Sequence, residues 1–286
     1  MKSKGKNPTA PWDRRTQASK APPTGPRPGP AGPRQAPSRA ALPSELCVIG
    51  RHAVLATLNF QPERALELFH IDAADLKPTV ERARQLGIPV RQVDLDTIDA
   101  LAGGREQGTA QGIVLSCGPF PYISVDELDK APRVTLALDG VEDPRNFGAA
   151  ARAAYALGAE LVVVPSDRAA AATAAAIKAS AGALCRIPVA REINFRRALD
   201  VLKEKGAWIV GAEADGDRAP WDVDTAGQVV IVVGGEDRGL RRLTREACDF
   251  VTAIPMAADD MSLNAADAAG LLLYEVLRQR RTAKRS

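Results

Sequence analysis

The hydrophobic positions in the second half of the chain come in short, uninterrupted runs. VTLALDG (134–140) and ELVVVP (160–165) enclose the alanine-rich segment GAAARAAYALG (148–158), and AWIVGAE (207–213) and VVIVVGGE (229–236) follow them. Apolar runs of this length predict parallel strands that are buried on both faces, and the alanine-rich segment predicts a helix between two of them. A last long helix is predicted over about 265–280. The pattern indicates an open, mostly parallel α/β sheet.

Residues 46–118 follow a different pattern, in which short apolar runs alternate with amphipathic segments. CVIGRHAVLATLNF predicts a strand that turns into a helix, and LKPTVERARQLGI predicts an amphipathic helix that ends at Gly87. Three further strands are predicted in ALELFHID, PVRQVD and IVLSC, with a short helix before the last of them. These elements predict a small α/β domain. Several prolines then mark 119–132 as a linker to a second domain at 133–286.

The first 45 residues differ again, because they combine many prolines with a strong excess of positive charge. Residues 1–40 hold nine prolines and nine Lys or Arg against the single acid Asp13, a local balance of +8 in a chain whose formal net charge is +3. This composition predicts a disordered basic tail over 1–45. Such a tail would either add salt-sensitive attraction to RNA or only keep the protein soluble, and its composition fits both roles.

Composition also argues against several classes of protein. No apolar run is long enough for a membrane helix, and the N-terminus lacks the apolar region of a secretory signal, so we expect a cytoplasmic protein without membrane contact. The four cysteines lie more than 60 residues apart, and neither His52 nor His70 lies near acids and cysteines in a ligand pattern. We therefore expect reduced thiols and no metal site.

Three polar loops stand out in the second domain. They are DGVEDPRNFG (139–148), GGEDRGL (234–240) and IPMAADDMSLN (254–264). In open parallel sheets, ligands bind in the crevice beyond the carboxyl ends of the strands. The three loops are therefore the candidate functional site.

Each loop lies within a longer motif, and the motifs occur in the order LDGVEDPRNFGAAARAAYALGAE, VVIVVGGEDRGLRRLTREACD and AIPMAADDMSLNAADAAGLLLYE. They resemble the three signature motifs of the SpoU, or TrmH, family of ribose 2′-O-methyltransferases, and the resemblance covers about 46–286. It implies a SPOUT fold, with a trefoil knot in the C-terminal sheet domain and a small RNA-recognising domain before it. It further implies AdoMet bound within the knot and a homodimer with the active site at the subunit interface.

The target of the family's chemistry is RNA, and two parts of this chain indicate which kind. The GRHAV segment of the small domain and the stretch GGEDRGLRRLTREACD are most similar to bacterial enzymes that methylate a guanosine ribose in 23S ribosomal RNA. A transfer RNA substrate stays open as the alternative.

The resemblance assigns five polar residues to catalysis. Arg152 matches the arginine of the first motif, and because a guanidinium is effectively never deprotonated, we interpret it as a stabiliser of the developing alkoxide. Asn146 would hold the ribose or orient the arginine, and Glu236 would fix a guanidinium by paired hydrogen bonds. Ser262 and Asn264 match the third motif and would contact both substrate and cofactor.

The resemblance also implies a cofactor site that is built largely from backbone groups. Gly234 and the turn at Ile254 would offer exposed N–H and C=O groups to the adenine. Ile254, Met256 and Leu263 would supply apolar walls.

Each catalytic candidate also has a simpler interpretation. Arg152 would be a solvated helix arginine, and Asn146 would bridge the turn after Pro144. Glu236, Ser262 and Asn264 would be helix caps, a role that capping residues can combine with catalysis. A basic cluster would either grip phosphates or form a solvated face, and it consists of Arg238, Arg241, Arg242 and Arg245. One stripe of the final helix would be either core or dimer interface, and it consists of Ala265, Ala268, Ala269, Leu272 and Leu273.

Two other functions compete with this hypothesis. A conventional Rossmann methyltransferase needs a G-x-G-x-G-like loop after its first strand, and LDGVEDPRNFG does not supply one. A non-catalytic RNA-binding or assembly protein of the same fold would differ by failing to bind AdoMet, which calorimetric titration would detect.

Overall fold

The structure is a computed structural model that describes residues 46–103, 110–236, 238–258 and 261–283. The predicted basic tail at 1–45 lies outside the described residues. The described part of the chain contains two sheets, one of four strands and one of six.

The four-stranded sheet belongs to the N-terminal segment and has the order β1-β4-β2-β3. Gly50, between the first strand and the first helix, has a φ of 91°, a left-handed conformation that favours glycine and lets the strand turn directly into the helix. The elements are β1 (Leu46–Ile49), α1 (Arg51–Phe60), β2 (Ala65–His70), α2 (Lys77–Gln85), β3 (Val90–Gln92), α3 (Leu95–Leu101) and β4 (Ile113–Cys117).

The six-stranded sheet is parallel throughout and has the order β10-β8-β9-β5-β6-β7. Its strands are β5 (Val134–Asp139), β6 (Leu161–Pro165), β7 (Val189–Glu192), β8 (Trp208–Ala212), β9 (Val229–Gly234) and β10 (Phe250–Thr252). The helices of this half are α4 (Pro144–Ala156), α5 (Ala174–Ala179), α6 (Phe195–Glu204), α7 (Arg242–Arg245) and α8 (Ala265–Ala283). The predicted parallel α/β sheet is confirmed.

Two details of this sheet differ from the prediction. The helix after β5 begins at Pro144 rather than at Gly148, because Asp143 caps it by accepting a hydrogen bond from Arg145 N at 2.8 Å. The strands β7 and β10 are not predicted from the apolar pattern. Both are short edge strands with exposed or half-buried positions, so they lack the uninterrupted apolar runs of the central strands.

The core of the sheet domain lies around β5, β6 and β9, which are buried along their whole length. Helix α8 packs against α4 on one side of the sheet. On α8, Leu272 and Leu273 are 3% and 0% exposed, so its apolar stripe is core within a single chain rather than a free dimer surface. Its outward side instead exposes Leu271 and Tyr274. No helix among the described residues has the length and apolarity that crossing a membrane requires.

The two sheets pack against each other through α1 and the segment after α5. Gly182 has a φ of 84°, and a Cβ there would overlap the Cβ of Ala56 on α1. Thr57 Oγ1 lies 3.3 Å from Cys185 Sγ in the buried contact beside it. The segment 119–132 is also fixed to the large sheet domain, because Tyr122 Oη accepts a hydrogen bond from Ala172 N at 2.7 Å. The domain boundaries at 118 and 133 stay a prediction.

Candidate active site

The carboxyl ends of β5, β8, β9 and β10 meet at one edge of the large sheet, where the three polar loops come together. A cavity of about 260 Å³ lies there, which we call the cofactor cavity. Gly234, Ile254 and Leu263, the predicted cofactor residues, all line it, together with Glu236 and Ser262. Its other lining residues are Ala212, Glu213, Ala214, Val233, Gly235, Gly239, Thr252, Met256, Met261, Ala265 and Ala268.

The loop after β9 forms one wall of this cavity and depends on its glycines. A Cβ at Gly234 would overlap the backbone of Gly239, and a Cβ at Gly235 would overlap the carbonyl oxygen of Gly140. Gly239 itself has a φ of 61°, which favours glycine. The loop therefore exposes its backbone to the cavity in a shape that side chains at these positions would block.

Two carboxylates hold this loop in place, and the sequence analysis singled out neither. Glu213 Oε1 accepts a hydrogen bond from Leu240 N at 2.6 Å, and its other oxygen pairs with Arg245. Asp139 Oδ2 accepts a hydrogen bond from Arg241 N at 2.8 Å. Each acid directly follows or ends a buried strand, which is the one sequence signal that could have indicated them.

Arg245 is itself fixed by a second acid. Its Nη1 lies 2.8 Å from Asp215 Oδ1, and this hydrogen bond is the main reason that the pKa of the Asp215 carboxyl is lowered from its ordinary value. Arg245 is therefore paired with acids of its own chain and is not available to an external ligand.

Asn146 and Glu236 are in direct contact. Asn146 lies in the first turn of α4, and its Nδ2 donates a hydrogen bond to Glu236 Oε1. Ser262 lines the same cavity as Glu236. Asn264 lies two residues further along, where its Oδ1 accepts a hydrogen bond from Asp267 N at 2.8 Å and so caps α8. The capping interpretation of Asn264 therefore holds, and it does not exclude a contact with substrate.

Of the five catalytic candidates, Glu236 and Ser262 line the cofactor cavity. Asn146 contacts Glu236, and Asn264 lies between the lining residues Leu263 and Ala265, whereas Arg152 has no such link to the cavity. It lies on α4 six positions after Asn146, a separation that turns it toward a different side of the helix. Its side chain is exposed and makes no hydrogen bond or ion pair with the residues that the structure describes. A single chain thus brings Asn146, Glu236 and Ser262 together and leaves Arg152 outside.

The predicted basic cluster does not act as one group. Arg245 pairs with Glu213 and Asp215, and Arg242 pairs with Glu246 on the short helix α7. The remaining two arginines, Arg238 and Arg241, line a second, polar cavity next to the first.

The chemistry of the cofactor cavity suits a mostly apolar ligand that carries positive charge. Carboxylates Glu213 and Glu236 line it, and no Lys, Arg or His occurs among its described lining residues. Ile254, Met261 and Leu263 supply apolar contacts, while the glycine loop supplies backbone groups. A sulfonium cofactor with an adenosine moiety fits this combination. Among the described residues, no group of His, Cys, Asp and Glu is arranged to hold a metal ion.

Two family models match the chain, one for each sheet. Residues 133–274 match the SpoU rRNA Methylase family. Residues 47–123 match the family described as RNA 2'-O ribose methyltransferase substrate binding.

Relatives in mycobacteria match most of the chain. An uncharacterized tRNA/rRNA methyltransferase of Mycobacterium ulcerans is 41% identical over 254 residues, which cover 86% of this chain and 81% of the relative. A protein of the same description from Mycolicibacterium vanbaalenii is 42% identical over 245 residues, which cover 82% and 77%.

Solved structures show the same fold. The SpoU methyltransferase AviRb from Streptomyces viridochromogenes is 25% identical and has a TM-score of 0.71, with 84% of this chain and 91% of AviRb covered. AviRb in complex with AdoMet gives a TM-score of 0.70. An AdoMet-bound rRNA methyltransferase from Sinorhizobium meliloti, 22% identical, also has a TM-score of 0.70 and covers 82% of this chain and 87% of its own.

These likenesses confirm the predicted SPOUT fold class, and together with the cavity they confirm the predicted cofactor. The chain belongs to the SpoU family of RNA methyltransferases, and AdoMet is its methyl donor.

Proposed function

We propose that this protein transfers a methyl group to a ribose 2′-hydroxyl of structured RNA, with a guanosine of 23S rRNA as the target. The observation that carries the proposal is the contact between Asn146 and Glu236 at the cofactor cavity. It puts an amide and a carboxylate, which can bind sugar hydroxyls, beside the place that the methyl donor occupies. The match of residues 47–123 to a ribose methyltransferase substrate-binding family supports ribose rather than base as the acceptor.

Bound AdoMet supplies an electrophilic methyl group on a sulfonium sulfur. A neutral hydroxyl is a poor nucleophile, so the protein must orient the ribose oxygen in line and stabilise the charge that develops on it. Glu236 fixes the amide of Asn146, whose oxygen and second N–H stay available to a sugar hydroxyl. Ser262 offers one more hydroxyl at the cavity wall.

A fixed cation completes this site, and Arg152 supplies it in our proposal. Because its guanidinium keeps its protons, it acts on the developing alkoxide as a charge and a hydrogen-bond donor, not as a base. Since Arg152 lies outside the cavity of its own chain, we infer that it reaches the cavity of a second copy in a homodimer. The apolar side chains of Leu271 and Tyr274, exposed by 50% and 59% on α8, are suited to the contact between copies.

The other predicted residues have roles in the same scheme. Asn264 caps α8 and so holds the start of this helix next to the substrate. Gly234, Ile254 and Leu263 surround the cofactor. The small domain at 46–118 selects the RNA, and the sheet domain at 133–286 carries the chemistry. The protein would work in the cytoplasm, where its RNA substrate is found.

The experiment uses the full chain, AdoMet with a tritiated methyl group, and ribosomal RNA from cells that lack the protein. Alkali cleaves RNA by attack of the 2′-oxygen on the neighbouring phosphate, so a 2′-O-methyl group protects that bond. We expect label in alkali-resistant dinucleotides, and none with Glu236→Ala. Label in mononucleotides would mean base methylation and would contradict the proposal.

The same reaction distinguishes the alternatives. Label on transfer RNA instead of ribosomal RNA would favour a tRNA 2′-O-methyltransferase. Tight RNA binding without any transfer of label would favour a non-catalytic RNA-binding or assembly role.

A further inference from the structure

A second cavity, of about 370 Å³, lies directly beside the cofactor cavity, and we call it the polar cavity. Its walls are the loop at 139–143 after β5, Arg168 in the loop after β6, and the loop that begins at Gly235. Gly235, Glu236 and Gly239 line both cavities. A ligand in the polar cavity therefore sits one loop away from the methyl donor.

One arginine of the polar cavity is built into the fold. Arg241 Nε lies 3.4 Å from Asp139 Oδ1, and Arg241 Nη2 donates a hydrogen bond to the carbonyl oxygen of Arg168 at 3.3 Å. Asp139 is only 1% exposed, and its Oδ1 accepts no hydrogen bond from the described residues, so Arg241 is its counter-charge. A buried carboxylate without this partner would be strongly destabilising, which keeps Arg241 in place.

Two further arginines are free. Arg168 and Arg238 line the polar cavity and are exposed, and their guanidinium groups form no hydrogen bond or ion pair with the described part of the chain. Four acids also line it. Asp139 is paired with Arg241, Asp143 caps α4 through Arg145 N, and Glu236 binds Asn146, while Glu142 is exposed. Two unpaired guanidinium groups offer the planar, paired donors that suit the oxygens of a phosphate.

The backbone at Arg168 adds a second observation. This residue has a φ of 51°, a left-handed conformation that is uncommon for a side chain of this size. Its carbonyl oxygen holds Arg241, and its side chain reaches the cavity wall. Glycine would adopt this conformation with less strain, so the turn alone does not explain why residue 168 is an arginine.

We propose that Arg168 and Arg238 bind the phosphate on the 3′ side of the methylated ribose, and that Arg241 is a positioning residue for this site. The inference rests on the proposed ribose 2′-O-methylation. In RNA the 2′-hydroxyl and the 3′-phosphate are on neighbouring carbons of one sugar. A ribose whose 2′-oxygen faces Asn146 and Glu236 therefore carries its 3′-phosphate into the adjoining cavity, where the free arginines lie.

The test compares full-length Arg168→Ala and Arg238→Ala with Arg242→Ala, which removes the same charge from an exposed arginine that pairs with Glu246 outside the polar cavity. The probe is deproteinised ribosomal RNA from cells that lack the protein, titrated over a range of salt with S-adenosylhomocysteine present. We expect each cavity variant to bind RNA about tenfold more weakly than wild type, and to lower the slope of log affinity against log salt by about one. Affinity for S-adenosylhomocysteine should stay unchanged in all three.

A further variant, Arg168→Gly, separates binding from folding. Because glycine relieves the backbone strain, its thermal unfolding midpoint should equal or exceed that of wild type, while RNA affinity falls as in Arg168→Ala. RNA binding by the cavity variants at the level of Arg242→Ala would overturn the inference. So would a loss of S-adenosylhomocysteine affinity, because the arginines would then serve the cofactor. Failure of the proposed function would look different, since wild type itself would put no methyl group on ribose.

Discussion

Asn146 and Glu236 form the contact on which the proposed chemistry depends. Asn146 lies at the start of α4, where Asp143 rather than Asn146 provides the helix cap. Its amide is therefore not needed to begin the helix and is directed to the carboxylate of Glu236. This contact fits the proposed catalytic role of Asn146 better than the turn-bridging role that the sequence also allows.

The first prediction removes this amide. Asn146→Ala should lower kcat for RNA methylation by about a hundredfold, because one oriented group near the developing charge is lost, while S-adenosylhomocysteine affinity changes by less than about threefold. Steady-state kinetics and calorimetry measure the two quantities. The matched control is Asn194→Ala, which removes the cap of α6 and should reduce stability by about 1 kcal/mol without changing kcat. Equal kcat in Asn146→Ala and wild type would exclude Asn146 from the site.

The second prediction concerns Cys248, a thiol that the proposed mechanism does not use. Burial, reinforced by the negative charge of Asp249, raises its pKa to about 11. Because only the thiolate reacts, Cys248 should be alkylated at pH 8 roughly a hundredfold more slowly in the folded protein than in the unfolded chain. Its rate should rise as the pH approaches 11, and peptide mass spectrometry measures it. Rapid alkylation of the folded protein at pH 8 would contradict the burial of this side chain.

At this scale the sequence indicates the residues that line the cofactor cavity but not those that hold its loop. Gly234 and Glu236 lie at the end of a predicted strand, so their place at the carboxyl edge of the sheet can be predicted. Leu263 comes after β10, which the apolar pattern does not predict, so only the family resemblance indicated it. Glu213 and Asp139 act by accepting hydrogen bonds from Leu240 N and Arg241 N. Such side-chain to backbone pairs depend on the folded loop, and no pattern of residue types shows them.

At the scale of elements, the contact between α1 and the segment after α5 joins the small domain to the large sheet. Arg186 adds to it, since its guanidinium lies 4.5 Å from the ring centroid of Phe60 on α1 and 5.6 Å from that of Tyr155 on α4. Each such cation–π contact contributes about 0.5–1 kcal/mol where it is exposed. Arg186 therefore links α1 of the small domain to the helix that carries Arg152.

The third prediction tests this contact with two matched glycines. Gly182→Ala should destabilise the protein by about 1–3 kcal/mol more than Gly158→Ala, as measured by denaturant unfolding. Both glycines have left-handed φ values, 84° and 88°, so the backbone strain is similar. Only a Cβ at Gly182 meets Ala56, whereas nothing lies within 4 Å of one at Gly158. Equal losses of stability would mean that the two sheets do not pack closely here.

The elements themselves could be predicted to different extents. Central strands such as β5 and β9 are buried on both faces, so their apolar runs identify them directly. The edge strands β7 and β10 contain four and three residues and need only one partner strand, so their sequences carry little signal. The packing of α1 on the large sheet depends on a glycine that the sequence alone does not distinguish from any turn glycine.

At the scale of the whole molecule, a single chain brings together only some of the residues of the proposed site. One chain encloses the cofactor cavity and pairs Asn146 with Glu236. The same chain keeps Arg152 exposed on another side of α4. In the proposed mechanism the reaction needs both parts, so two copies must come together and activity should depend on dimerisation.

The most direct measurement of this central claim mixes two inactive variants, Arg152→Ala and Glu236→Ala. In a mixed dimer one site receives the intact arginine from one copy and the intact glutamate from the other, while the second site lacks both. If subunits exchange freely in an equal mixture, half of the dimers are mixed and each has one working site, so roughly a quarter of the wild-type methylation rate should return. A mixture that stays as inactive as the separate variants, although mass spectrometry detects mixed dimers, would contradict a site shared between copies.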